Sequence, residues 1–177
     1  MPRLFLIPLL VAAAPLAAQD MSAFTTGPVF EDFGPHAAIE GIAQVPADTE
    51  FSVAFDATEP AKDGERNKSI ESAARFINMH VAAGVPEDNI RVAVVVHGKA
   101  VFDLLDAEAR AAHELAENGS AAMIREMLDQ GVRIIVCGQS ATAHGVSQDQ
   151  LIPGVEMALS AMTAHALLQQ AGYTLNP

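Results

Sequence analysis

Apolar residues along this chain alternate between short continuous runs and helical stripes. Phe51-Ser52-Val53-Ala54-Phe55-Asp56 is rich in β-branched and aromatic residues and predicts a first strand. Ile70, Ala73, Ala74, Ile77 and Val81 recur at helical spacing, which predicts a helix over residues 69–83 with one apolar face. Gly84 suits its C-terminal stop, with Pro86 just beyond. Ile90 to His97 is a nearly unbroken apolar run, the pattern of a second strand buried on both faces. Residues 99–117 predict one or two short helices, and Asn118-Gly119 ends that stretch. Met123, Ile124, Met127 and Leu128 share one face of a helix over 120–130, stopped by Gly131. Val132 to Cys137 reads as a third strand, with a short helical turn expected before Gly145. Ser147-Gln148-Asp149-Gln150 has the form of a capping box, and Pro153-Gly154 is a further break. Val155 to Leu159 is a weaker strand. Ser160 can cap a last helix over 161–171, which Gly172 closes.

This repeated strand–helix order predicts an α/β fold, a three-layer α/β/α arrangement with a mainly parallel central sheet. Residues 19–50 behave differently. Gly27, Pro28, Gly34, Pro35, Gly41 and Pro46 interrupt them and no periodicity emerges. They are expected to form an irregular N-terminal arm lying over a domain that spans residues 51–177.

The first 18 residues have the pattern of a secretory signal. Arg3 precedes an apolar stretch from Leu4 to Leu10, broken by Pro8, and small residues follow up to Ala18. The apolar stretch is shorter than the ~20 residues a spanning helix needs. Cleavage near Ala18, a periplasmic location and no membrane association afterwards are the expectations. Removing these residues takes away one charge and leaves nine basic and 22 acidic side chains, a formal charge of −13. Such a surface repels phosphate backbones and anionic headgroups, so no nucleic acid is expected as a partner.

Composition narrows the chemistry further. A single cysteine excludes an intrachain disulfide and a Cys-rich metal site. The histidines have no H-x-H or H-E-x-x-H spacing, no G-x-G-x-x-G or phosphate loop is present, and no G-x-S-x-G elbow occurs. Neither a metal nor a cofactor is expected.

The remaining candidate is Cys137 itself. It ends an apolar strand and is followed at once by Gly138-Gln139-Ser140-Ala141-Thr142. In open α/β sheets chemistry collects past the carboxyl ends of strands, where loop N–H groups favour a thiolate. If the strands are parallel, Asp56, His97 and Cys137 end up near the same edge of the sheet. His97 then becomes a candidate to tune the thiol or shuttle a proton, and Asp56 a candidate to orient His97. Gly98, Gly138, Gln139 and Ser140 are the candidate binding residues of the adjoining loops. His36, His80, His113, His144 and His165 are scattered and carry less signal. A free cysteine is also a common small core residue, so a purely structural role for Cys137 remains the alternative.

Several runs together resemble one family. They are Gly27-Pro28-Val29-Phe30, Phe51 to Asp56, Ala74 to His80, Val94-Val95-Val96-His97-Gly98-Lys99-Ala100, Val136-Cys137-Gly138-Gln139-Ser140 and Leu151 to Ala164. The chain is similar to the DsrE/DsrF-like family, in its exported branch. The resemblance implies a three-layer α/β/α fold, homo-oligomers, and a sulfur carrier or sulfurtransferase role. In that role Cys137 holds sulfane sulfur as a persulfide. The sulfur comes from a donor protein or a small sulfane-sulfur compound and passes to a partner thiol. Two other functions stay open: a non-catalytic oligomeric binding or assembly protein with a structural cysteine, and a thiol-capture protein that would need an external thiol to resolve it.

Overall fold

The computed structural model describes residues 20–176. The expected signal at residues 1–18 lies outside them. The arm contains one short antiparallel ladder, β1 (Phe24–Thr25) against β2 (His36–Ala37). It does more than lie over the domain. Phe30 and Phe33, stacked with ring centroids 4.8 Å apart, are buried in the main core against the helix α1 (Lys68–Ala82). Asn78 of α1 is fully buried and holds the arm by its side chain. Its carbonyl oxygen accepts the Val29 and Phe30 N–H groups at 3.1 and 2.8 Å, and its amide donates to the carbonyls of Phe30, Phe33 and Gly34 at 3.0, 3.0 and 3.1 Å. An irregular segment cannot satisfy its own backbone, so one amide on a helix does it instead.

The central sheet has five strands, all parallel. In chain order these are β3 (Phe51–Ala57), β4 (Ile90–Val96), β5 (Arg133–Cys137), β6 (Glu156–Ala158) and β7 (Thr174–Asn176), and in space they run β6-β5-β4-β3-β7. Crossovers and loops carry a 3-10 helix (Gly98–Leu104), α2 (Ala107–Ala112), α3 (Ala121–Asp129), α4 (Gly138–Ala143) and α5 (Ala161–Gln170). The protein is therefore an α/β fold with a parallel sheet between helices, as the sequence pattern predicts. Three details differ. The second strand stops at Val96, because His97 begins the 3-10 helix as its N-cap. The helical turn before Gly145 starts directly at Gly138. β7 has no counterpart in the sequence reading, since three residues are too few to show a period. Among the described residues, no helix is long and apolar enough to cross a membrane.

The two faces of the sheet are covered unequally. On one face Val53, Phe55, Val92, Val94, Val96, Ile134 and Val136 pack with Ile70, Ala73, Ala74 and Ile77 of α1 and with Met123, Ile124 and Met127 of α3. On the other, Ala54, Ala93, Val95, Ile135 and Cys137 pack against Ala161, Ala164 and Leu168 of α5. Side chains alternate along a strand. The register pairs Asp56 with Val95 and Val96 with Val136, so Asp56, Val95 and Cys137 share the α5 face. His97, the next residue after Val96, continues onto that face at the carboxyl edge.

Candidate functional site

Cys137 is the last residue of β5 and the N-cap of α4, so its sulfur sits where the chain turns from strand to helix. The Ser140 N–H donates to Sγ at 3.5 Å. Ala161, the first residue of α5, lies in the same apolar cluster as Cys137. The side chain is 5% exposed. Burial pushes the thiol up, but the Ser140 hydroxyl and the N–H groups of Ser140, Ala161 and Gln139 outweigh it. They hold Cys137 below the ordinary value of a cysteine.

Backbone proximity explains the glycines. A Cβ on Gly138 would lie 2.7 Å from the Ala158 carbonyl oxygen, so only glycine lets β5 turn into α4 against β6. Gly98 has φ +58°, and a Cβ there would meet the Thr58 carbonyl oxygen at 3.0 Å. Its N–H donates to Ser140 Oγ at 3.0 Å, which joins the loop after β4 to the helix after β5. Gln139 is exposed and its side-chain amide donates to the Leu159 carbonyl at 3.2 Å. Beside it, Leu159 and Met162 are 73% and 80% exposed, an apolar rim next to the thiol.

A second cluster lies on the same face. Asp56 accepts from His97 Nε2, at 3.0 Å to Oδ2 and 3.2 Å to Oδ1, and from His165 Nε2 at 2.8 Å to Oδ1. The carboxylate accepts from both rings, so each carries its proton on Nε2. Neither Nδ1 has a partner among the described residues. Asp56 and His97 are about one-third exposed, so the cluster opens to solvent.

The structure thus joins Asp56 to His97 and Ser140 to Cys137. It does not join His97 to Cys137. No hydrogen bond links them, because the imidazole turns along the sheet to the carboxylate. His97 is thus not in hydrogen-bond contact with the thiol, while the Ser140 N–H is. Sequence reasoning passed over His165. Its signal was its place on α5: Ala161, Ala164, His165 and Leu168 recur at helical spacing, a histidine within a buried stripe. His80 is structural, with Nδ1 at 2.7 Å from the Phe76 carbonyl and its ring against Phe51 and Phe76. Among the described residues, no group of three His, Cys, Asp or Glu side chains is arranged to hold a metal ion.

Comparison with known proteins places this geometry. The model of the DsrE/DsrF-like family matches residues 53–177. The chain belongs to the DsrE/DsrF-like family. The match takes in all but the first two residues of β3, all of β4 to β7, and hence Asp56, His97, Cys137 and His165. No curated protein matches the chain. Two solved structures share the DsrE-like fold seen here. The protein of unknown function MTH1491 from Methanobacterium thermoautotrophicum aligns over 72% of this chain and 98% of its own, with 21% identity and a TM-score of 0.51. The ychN protein from E. coli aligns over 71% of this chain and 99% of its own, with 16% identity and the same TM-score. At these identities the likeness is one of fold.

Proposed function

We propose that this protein is a periplasmic sulfur-trafficking protein that carries sulfane sulfur as a persulfide on Cys137 and transfers it to a partner thiol. The observation that carries the reading is the Ser140 N–H donating to Cys137 Sγ at the strand-to-helix turn, where the thiol is held below the ordinary value of a cysteine. In the loading step the Cys137 thiolate attacks the outer sulfur of a donor R–S–SH. A new S–S bond forms, the donor S–S bond breaks, and R–S⁻ leaves and takes up a proton. In the unloading step an acceptor thiolate attacks the outer sulfur and Cys137 leaves as the thiolate. The sulfane sulfur moves without net oxidation or reduction of the pair. The same N–H stabilises the departing thiolate in the second step.

The secretory pattern of residues 1–18 supports export, with donor and acceptor met outside the cytoplasm. The apolar rim of Leu159 and Met162 is a place for an acceptor protein, or a second copy in a homo-oligomer, to approach the thiol. The low exposure of Cys137 favours a second reading, a non-catalytic oligomeric binding or assembly protein in which the cysteine only packs.

The intact mass of the mature protein, purified without reductant and treated with polysulfide, separates the two. A gain of about 32 Da that reductant removes and Cys137→Ser abolishes is the expected result. An unmodified wild-type Cys137 after the same treatment overturns the carrier and leaves the packing role.

A further inference from the structure

His97 stands beside Cys137 in the sheet without bonding it. Its N–H donates to the Ala57 carbonyl at 2.9 Å, so the pairing of β3 with β4 runs one residue past Val96. The backbone is still extended there, with φ −148°. Val96 pairs with Val136, which puts His97 level with Cys137 on the neighbouring strand, about 4.8 Å across the ladder. Val96 packs on the α1 and α3 side, so alternation turns His97 to the α5 side, where Cys137 also lies. The Gly98 N–H on Ser140 Oγ ties the two strand ends together.

Only one nitrogen of the His97 ring is engaged. Nε2 donates to Asp56, and His165 bonds the same carboxylate from α5 at 2.8 Å. The carboxylate fixes the tautomer: with the proton on Nε2, Nδ1 presents its lone pair, and no described residue takes it up. When Nδ1 gains a proton, the imidazolium lies against Asp56 and its charge is balanced where it forms.

Sulfur transfer leaves one proton to be moved, and it belongs to the partner rather than to Cys137. The acceptor loses its S–H proton as it attacks, and the departing donor sulfur gains one. That partner sulfur lies beyond the outer sulfur, two S–S lengths or about 4 Å from Cys137 Sγ. The reach matches the strand spacing between Cys137 and His97.

We propose that His97 is the general base and acid for the partner thiol, taking the acceptor's proton on Nδ1 and returning it to the departing donor, with Asp56 as its positioning residue. The inference rests on the carrier reading of Cys137. In unloading, the acceptor S–H bond breaks, its proton goes to Nδ1, and its sulfur bonds the outer sulfur. The S–S bond to Cys137 breaks and its electron pair stays on Sγ. In loading, the R–S⁻ that leaves the donor takes the proton back from Nδ1. One turnover restores the imidazole and needs no oxidant or reductant. The substrate class follows: ordinary alkyl thiols, cysteine side chains included, which are largely protonated near neutral pH.

The test loads the full mature protein with polysulfide, removes the excess, and follows loss of the added mass of about 32 Da near pH 8 with two acceptors. Mercaptoethanol is mostly protonated there, while sulfite attacks as an anion with no proton to lose. His97→Gln keeps an N–H for Asp56 and loses the base. In it the ratio of the mercaptoethanol rate to the sulfite rate is expected to fall about tenfold or more. Asp56→Asn should lower the same ratio by less. An unchanged ratio in His97→Gln overturns the proposal, whether both rates fall together or neither falls. If His97→Gln does not fold, the Asp56→Asn ratio decides: no change there overturns it. A wild-type protein that takes up no sulfur overturns the carrier reading and this inference with it. A protein that loads, with the ratio unchanged in the variant, overturns this inference alone.

Discussion

Ser140 accepts the Gly98 N–H at 3.0 Å, and this bond ties the end of β4 to the start of α4. The Ser140 N–H donates to the Cys137 sulfur, and its hydroxyl helps to hold that thiol below its ordinary value. One serine thus holds two loops together and stabilises the thiolate between them. Ser140→Ala removes the hydroxyl from both tasks. The alkylation midpoint of Cys137 should rise, and alkylation near neutral pH should slow. A midpoint equal to wild type in a pH series would show that the backbone N–H groups suffice.

The lowered Cys137 thiol also has a signature in stability. Its folded value lies below that of the unfolded chain. A depressed acid contributes stability that is fully present above the unfolded value, about 8.5, and is lost as pH falls through the folded value. The difference in melting temperature between wild type and Cys137→Ala should therefore widen as pH rises from neutrality toward 9. Thermal melts at several pH values check it; a difference independent of pH would mean that the thiol titrates as it does in the unfolded chain.

Gly138 has no space for a side chain. The added methyl of Gly138→Ala would sit 2.7 Å from the Ala158 carbonyl oxygen, and backbone must move on one side or the other. A loss of about 1–3 kcal/mol is expected, with β6 displaced from β5. Denaturant unfolding measures the loss, and slower hydrogen exchange at β6 in the variant would contradict the mechanism.

Asn78 is the fastener of the arm. Asn78→Leu leaves two N–H groups and three carbonyls of residues 29–34 without their partner in a buried place. The expected destabilisation is about 3 kcal/mol or more, with protease cutting appearing first in the arm. Limited proteolysis followed by mass spectrometry reads where the cuts fall; uniform cutting along the chain would show that arm and domain unfold as one.

Met162→Asp tests the rim. The side chain is 80% exposed, so folding should be unaffected. Transfer of sulfur from Cys137 to a protein acceptor should slow, while transfer to a small thiol such as dithiothreitol should not. Equal slowing with both acceptors would place the effect inside the site instead.

The order of strands and helices was legible because long amphipathic and apolar segments carry their own period. Ile90 to Val96 and the α1 stripe are the clearest cases. The shared edge of Asp56, His97 and Cys137 followed from parallel order and alternation alone. What no strand pattern contains is the direction in which a side chain turns once it reaches that edge. His97 stands beside the strand that ends in Cys137, yet its ring goes to Asp56, because the carboxylate is the stronger acceptor within reach. His165 is 109 residues from Asp56, and only the packing of α5 on the sheet brings them together. β7 is short and gains its place from pairing with β3 rather than from its own composition. Asn78 looked like any polar residue on a helix, and the arm gave no sign of needing a partner.

The fastening of the arm to α1 also decides how the molecule can be held. Asp20, Met21 and Phe24 lie in a surface cleft with Arg75 of α1, on the side of the sheet that carries the main core. Cys137, α5 and the apolar rim are on the other side. A surface or bead coupled ahead of residue 20 therefore grips the protein by its back. The face that carries α5 and the apolar rim is then turned to the solution.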